Sequence, residues 1–139
     1  MRILVLNGPN LNLIGEREPE IYGNQSLDDY ISEMKQRFPS CEIDSFQSNH
    51  EGVLIDKLQE AMDKYDGVVM NPGGYAHTSI ALADTIRAIN IPVVEVHISN
   101  IYEREAFRHH SYTAEAAVKS IVGHGLEGYA EAINYLIAK

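Results

Sequence analysis

Arg2-Ile3-Leu4-Val5-Leu6-Asn7-Gly8-Pro9-Asn10 is an apolar run too short for a stable helix, and it breaks on a polar turn. Runs of the same kind recur along the chain and alternate with longer segments of helical period. That alternation predicts a parallel sheet covered by helices. The predicted strands are Ile3 to Leu6, Glu42 to Gln47, Gly67 to Met70, Val93 to Val96 and Ser120 to Val122.

Helices are predicted between them. The first starts at the N-cap Ser26 and repeats Leu27, Tyr30, Ile31, Met34 and Phe38 before Pro39 ends it. The second runs from Glu51 to Tyr65, with Val53, Leu54, Leu58, Ala61 and Met62 facing inward. A third is expected from His77 to Ile89 and a fourth from Leu126 to Ile137. Five parallel strands at this length favour an α/β, flavodoxin-like three-layer fold of strand order 2-1-3-4-5 with helices on both faces, whose ligands bind outside the strands' carboxyl ends. One domain, residues 1–139, is expected.

Composition narrows the partners. The chain has 139 residues, 45% of them apolar, and a formal net charge of −9. An acidic protein is repelled by nucleic acid and by anionic membrane surfaces, so neither is an expected partner. No apolar run approaches the roughly 20 residues of a membrane span. The single cysteine, Cys41, and the absence of a signal-peptide pattern at Met1 fit a cytoplasmic protein.

Two polar stretches leave strand carboxyl ends, Gly8 to Gln25 and Ile98 to Tyr112, and the first is long enough to read as a lid or binding loop. Strand one ends in Asn7-Gly8-Pro9-Asn10 and strand three in Asn71-Pro72-Gly73-Gly74, which the strand order makes neighbours around one crevice. In Pro92-Val93-Val94-Glu95-Val96-His97 the period of two puts Glu95 and His97 on one face of a strand apolar enough to be buried on both sides. A carboxylate beside an imidazole orients it and supports its charged form, as a general acid needs; a self-satisfied structural pair is the plainer alternative. Arg17 stands five residues before Tyr22, and a nearby cation is what a tyrosine of pKa about 10 needs to act as a base. Solvated surface residues are the alternative there. His77-Thr78-Ser79 opens the third predicted helix, where unpaired N–H groups favour an anionic ligand or simply require a cap. Asp84 precedes Arg87 by three, which suits a surface ion pair, and Arg104 and Arg108, four apart with Phe107 between, suggest a helical turn that aims their guanidinium groups at a ligand or at a subunit neighbour. His109-His110 comes without the spacing of a metal site, so no metal is expected.

Taken in order, Asn7-Gly8-Pro9-Asn10-Leu11, Arg17-Glu18-Pro19, Tyr22-Gly23, Asn71-Pro72-Gly73-Gly74, His77-Thr78-Ser79, Glu95-Val96-His97-Ile98-Ser99-Asn100 and Arg108-His109-His110-Ser111 resemble the type II dehydroquinase family over essentially the whole chain. The resemblance implies a cofactor-free hydro-lyase converting 3-dehydroquinate to 3-dehydroshikimate by anti elimination through an enolate, in the shikimate route or, alternatively, in quinate catabolism. It implies Tyr22 as base, Arg17 as stabiliser of its phenolate, His97 as proton donor and Asn10 as holder of a water at the enolate. It implies substrate binding by Asn71, His77, Arg108 and the backbone of Ile98 and Ser99, with Glu95 supporting His97. Asp84 matches a carboxylate lent by an adjoining subunit of trimers that assemble into a dodecamer. On one helix, seven residues at about 1.5 Å each would put Asp84 about 10 Å from His77, out of reach of a shared small ligand. The chain departs from the family pattern at Pro72 and Glu16. A non-catalytic flavodoxin-like module is the rival, disfavoured because strand one ends in neither an acidic cluster nor a Ser/Thr/Gly-rich phosphate loop.

Overall fold

The computed structural model describes residues 1–15 and 25–139. The strands are β1 (Arg2–Asn7), β2 (Glu42–Gln47), β3 (Gly67–Asn71), β4 (Val93–His97) and β5 (Lys119–Val122), and they form a parallel sheet in the order β2-β1-β3-β4-β5. The helices are α1 (Leu27–Arg37), α2 (Glu51–Ala61), α3 (Ile80–Ala88), α4 (Tyr112–Ala116) and α5 (Glu127–Ala138).

The pleat explains the layering. Along β1, Ile3 and Val5 point to one face and pack with Tyr30, Ile31 and Met34 of α1 and with Tyr129, Ile133 and Leu136 of α5. Leu4 and Leu6 point to the other and pack with Leu54 and Leu58 of α2 and Leu82 and Ile86 of α3. Both faces are covered, so β1, β3 and β4 are nearly continuous aliphatic runs. Across the first face, Arg37 of α1 grips Glu127 of α5 through two bonds of 3.0 and 2.8 Å, and the Tyr30 hydroxyl donates to the same carboxylate at 3.0 Å.

Sequence-based expectation and structure differ where chain geometry is local. His77 is not on α3: Gly73–His77 forms a 3₁₀ turn, Ser79 caps the helix by accepting from Leu82 N–H, and the helix begins at Ile80. The 10 Å separation argued from a single helix therefore does not apply. α2 stops at Ala61, which leaves Met62 37% exposed rather than inward. Arg104 and Arg108 do not share a helical turn, since Arg104 ends the 3₁₀ turn Ile101–Glu103 and Arg108 ends the next, Ala106–Arg108. Helix α4 is too short to show a period.

The carboxyl ends of β1 and β3 interlock. Gly8 N–H donates to Asn71 O at 2.8 Å, and a Cβ on Gly8 would lie 2.4 Å from the Pro72 carbonyl oxygen. Gly8→Ala is expected to cost about 2 kcal/mol or more, because backbone rather than a flexible side chain must give way. Gly52→Ala, on α2 with nothing within 4 Å of the added Cβ, should instead be neutral or stabilising by up to about 1 kcal/mol. Urea denaturation of both variants checks the pair.

Candidate active site

The interlocked turns form one wall of a cavity at the carboxyl edge of the sheet. Asn10 holds a left-handed conformation at φ 69°, and its N–H donates to Asn49 Oδ1 at 3.1 Å. Gly73 has φ 60°, and its N–H donates to Asn71 Oδ1 at 3.1 Å. Asn71 Nδ2 donates to the fully buried Tyr129 hydroxyl at 3.0 Å, which in turn donates to Asn7 Oδ1 at 2.6 Å. This chain fixes which way the Asn71 amide faces and leaves one of its two N–H bonds for a ligand.

The opposite wall comes from the end of β4 and the segment after it. Asn10, Asn71, His77, His97, Ile98, Ser99 and Arg108 all line the cavity, whose volume is about 140 Å³. Arg104, Gly73 and Gly74 line it as well. The sequence aims Arg104 and Arg108 together at a ligand or a subunit neighbour, and both line the cavity, but from two separate turns rather than one. Asp84 is not in the lining: its side chain is 70% exposed and lies 3.7 Å from Arg87. Glu16, Arg17 and Tyr22 lie outside the described residues.

Charge in the cavity runs against the chain. In a protein of net charge −9, the described lining contains two arginines and two histidines and no carboxylate. Arg108 Nε donates to Glu105 Oε2 at 2.5 Å and holds that exposed carboxyl below its usual pKa range. Such a wall suits a small anion carrying hydroxyls.

His97 and Glu95 sit where the period of two puts them, on the α3 face of β4. His97 Nε2 is 2.9 Å from Glu95 Oε1, with both side chains buried at 5% and 1% exposure. The two atoms are in close contact without the alignment of a straight hydrogen bond, since the Nε2–H does not point along the line to the oxygen. Burial alone would raise the Glu95 pKa. The contact with His97 and the hydroxyls of Thr113 and Ser111 outweigh it and hold the carboxyl below its usual range. With Nε2 turned to Glu95, Nδ1 is the nitrogen left for a substrate group.

His77 stacks on His97 with ring centroids 5.9 Å apart. Its Nδ1 lies 2.8 Å from the His110 carbonyl oxygen, which accepts only, so Nδ1 carries the hydrogen and Nε2 is an acceptor in the neutral ring. Burial lowers the His77 pKa, which favours that neutral form. One ring thus presents an acceptor nitrogen to the cavity while its neighbour presents Nδ1.

Comparison with known proteins agrees with this geometry. Residues 1–137 match the family model described as dehydroquinase class II. A 3-dehydroquinate dehydratase of Bacillus pumilus (strain SAFR-032) is 54% identical over 138 residues, covering 98% of this chain and 94% of that protein. A catabolic 3-dehydroquinase of Aspergillus clavatus is 48% identical over 136 residues, covering 96% of this chain and 91% of its own length. The crystal structure of a type II dehydroquinase from Butyrivibrio crossotus DSM 2876 superposes with a TM-score of 0.95 at 48% identity, covering 99% of this chain and 97% of that one. The chain belongs to the dehydroquinase class II family.

Proposed function

We propose that this protein is a hydro-lyase that dehydrates 3-dehydroquinate to 3-dehydroshikimate in the shikimate route to chorismate and the aromatic amino acids. The observation that carries the reading is a cavity lined by two arginines and two histidines, in an acidic member of the dehydroquinase class II family, with His97 in its wall and Glu95 against that ring. The catabolic relative supports a second reading, the same reaction serving quinate breakdown.

The elimination needs a base, a stabiliser of the enolate and an acid. Tyr22 takes the proton from C2, helped by Arg17, whose positive charge favours phenolate over phenol. A water held by Asn10 donates to the enolate oxygen at C3. His97, backed by Glu95, protonates the leaving hydroxyl at C1. The carboxylate of the substrate meets the backbone N–H groups of Ile98 and Ser99, while Asn71, His77 and Arg108 hold its hydroxyls. No cofactor or metal enters the scheme.

One catalytic domain, residues 1–139, carries these groups, and the protein works in the cytoplasm; among the described residues no helix is long and apolar enough to cross a membrane. The site is completed in a homo-oligomer of trimers assembled into a dodecamer, with Asp84 serving a neighbouring subunit. An exposed Asp84 outside the cavity of its own chain, one turn beyond the 58% exposed Ile80, supports that arrangement.

Purified protein mixed with 3-dehydroquinate should develop the ultraviolet absorbance of a conjugated enone, undiminished by a chelator or by borohydride. Tyr22→Phe should keep substrate binding and lose roughly 10²-fold or more in kcat, and Arg17→Ala should resemble it; near-normal turnover in Tyr22→Phe would remove the assigned base. Inactive Tyr22→Phe and Asp84→Ala chains, unfolded and refolded together, should regain activity that neither regains alone. Mixed oligomers without recovered activity would count against the shared site.

A further inference from the structure

Glu95 is among the largest fully buried side chains, and His97 accounts for only part of its bonding. Its Oε2 accepts from the Ser111 hydroxyl at 2.8 Å and from the Thr113 hydroxyl, and its Oε1 accepts from the Ser120 hydroxyl at 2.8 Å. Three hydroxyls thus donate to the carboxylate, and His97 Nε2 lies against Oε1 without a straight hydrogen bond. Hydroxyls of this number around one buried carboxylate are more than packing requires. A single ion pair would leave two or three lone-pair positions desolvated at considerable cost.

The three hydroxyls come from two elements, and each is placed by backbone rule. Ser120 is the register partner of Glu95 on β5, so the shared pleat aims it at the same face. Ser111 is the N-cap of α4, accepting from Ala114 N–H at 3.1 Å while donating to Glu95. Thr113 stands in the first turn of that helix, 1% exposed. The charged and titratable groups facing the pair among the described residues are His77 from the Gly73–His77 turn and Arg108 and Arg104 from the segment after β4.

We propose that Ser111, Thr113 and Ser120 are positioning residues for the proton donor. Their hydroxyls hold the Glu95 carboxylate ionised and in one orientation, so that His97 is fixed in turn and presents its proton to the cavity from a single geometry. Without one of these donors the Glu95 carboxylate is less well stabilised as an anion, and the imidazole beside it becomes a poorer proton donor. This role rests on the dehydratase reading and adds to it.

Thr113→Val and Ser120→Ala each remove one donor, while Thr113→Ser keeps the hydroxyl. Steady-state assays of the full-length enzyme with 3-dehydroquinate are expected to show kcat lowered roughly tenfold in the two hydroxyl-less variants, with KM within about twofold of wild type, and kcat largely restored in Thr113→Ser. The Glu95 carboxyl carbon, followed by NMR in glutamate-labelled protein, is expected to titrate at higher pH in Thr113→Val and Ser120→Ala, because each lost donor favours the protonated form. If Thr113→Val does not fold, Ser120→Ala and Ser120→Thr provide the same comparison. An active wild type with an unmoved carboxyl titration, or activity losses that only follow the folded fraction seen by circular dichroism, would overturn the positioning role. A wild type with no dehydratase activity would instead remove the reading beneath it.

Discussion

The carboxyl ends of β1 and β3 lie as close as they do because residue 8 has no side chain: a Cβ there would sit 2.4 Å from the Pro72 carbonyl oxygen. One wall of the cavity takes its place from that contact. The Gly8 N–H to Asn71 O bond continues the sheet ladder one step beyond the paired Asn7 and Asn71, and both chains then turn away through left-handed residues, Asn10 and Gly73. A strand end would otherwise present unpaired backbone groups to solvent. Here the turns bring two asparagine side chains onto the buried Tyr129 hydroxyl, which orders them as one unit. Rigid backbone at a strand end is a precise way to hold a polar side chain, because no long loop has to be ordered first.

The second constraint is electrostatic. Glu95 is a charge placed in the interior of a sheet, on a strand whose other residues before His97 are valines. An ionised carboxylate there is tolerable only if donors surround it, and three hydroxyls donate to Glu95 while His97 lies against it. The sign of the linkage follows from its depressed pKa. Folded protein binds this proton more weakly than the unfolded chain, so Glu95 stabilises the fold above the ordinary carboxylate pKa, and the contribution is lost as pH falls through the lower folded value. A group arranged in this way stays ionised across the neutral range and keeps a negative neighbour beside the His97 ring.

The sheet and the paired turns were legible in the sequence because they depend on local pattern. Aliphatic runs of strand length, Ser26 before a periodic helix and the period of two through Glu95 and His97 are statements about neighbours in the chain. What escaped depends on distant segments or on short turns. Ser120 meets Glu95 through the register of β4 and β5, and Ser111 and Thr113 through the entry angle of a five-residue helix; none of these contacts has a sequence period. The start of α3 was misjudged because Gly73 to His77 carries no polar cap of its own, and the 3₁₀ turn there has no hydrophobic stripe to distinguish it from the helix that follows. Arg17 and Tyr22 fall outside the described residues, so their place in the reaction stands on the motif they sit in.

The segment from Arg108 to Thr113 joins these two constraints. Arg108 lines the cavity, the His110 carbonyl sets the tautomer of His77, and Ser111 and Thr113 donate to Glu95. Four residues within this six-residue segment therefore supply a charge to the cavity wall, set the tautomer of His77 and hold the carboxylate beside His97. Ser111 is bound twice over, as N-cap of α4 and as donor to Glu95, so the helix cannot shift along its axis without breaking one bond or the other. A displacement of this segment would be felt by both histidines at once, and their stacked rings at 5.9 Å would move together. The two histidines are in this sense one mechanical unit, tied to the sheet through β4 and to α4 through the Ser111 and Thr113 bonds to Glu95.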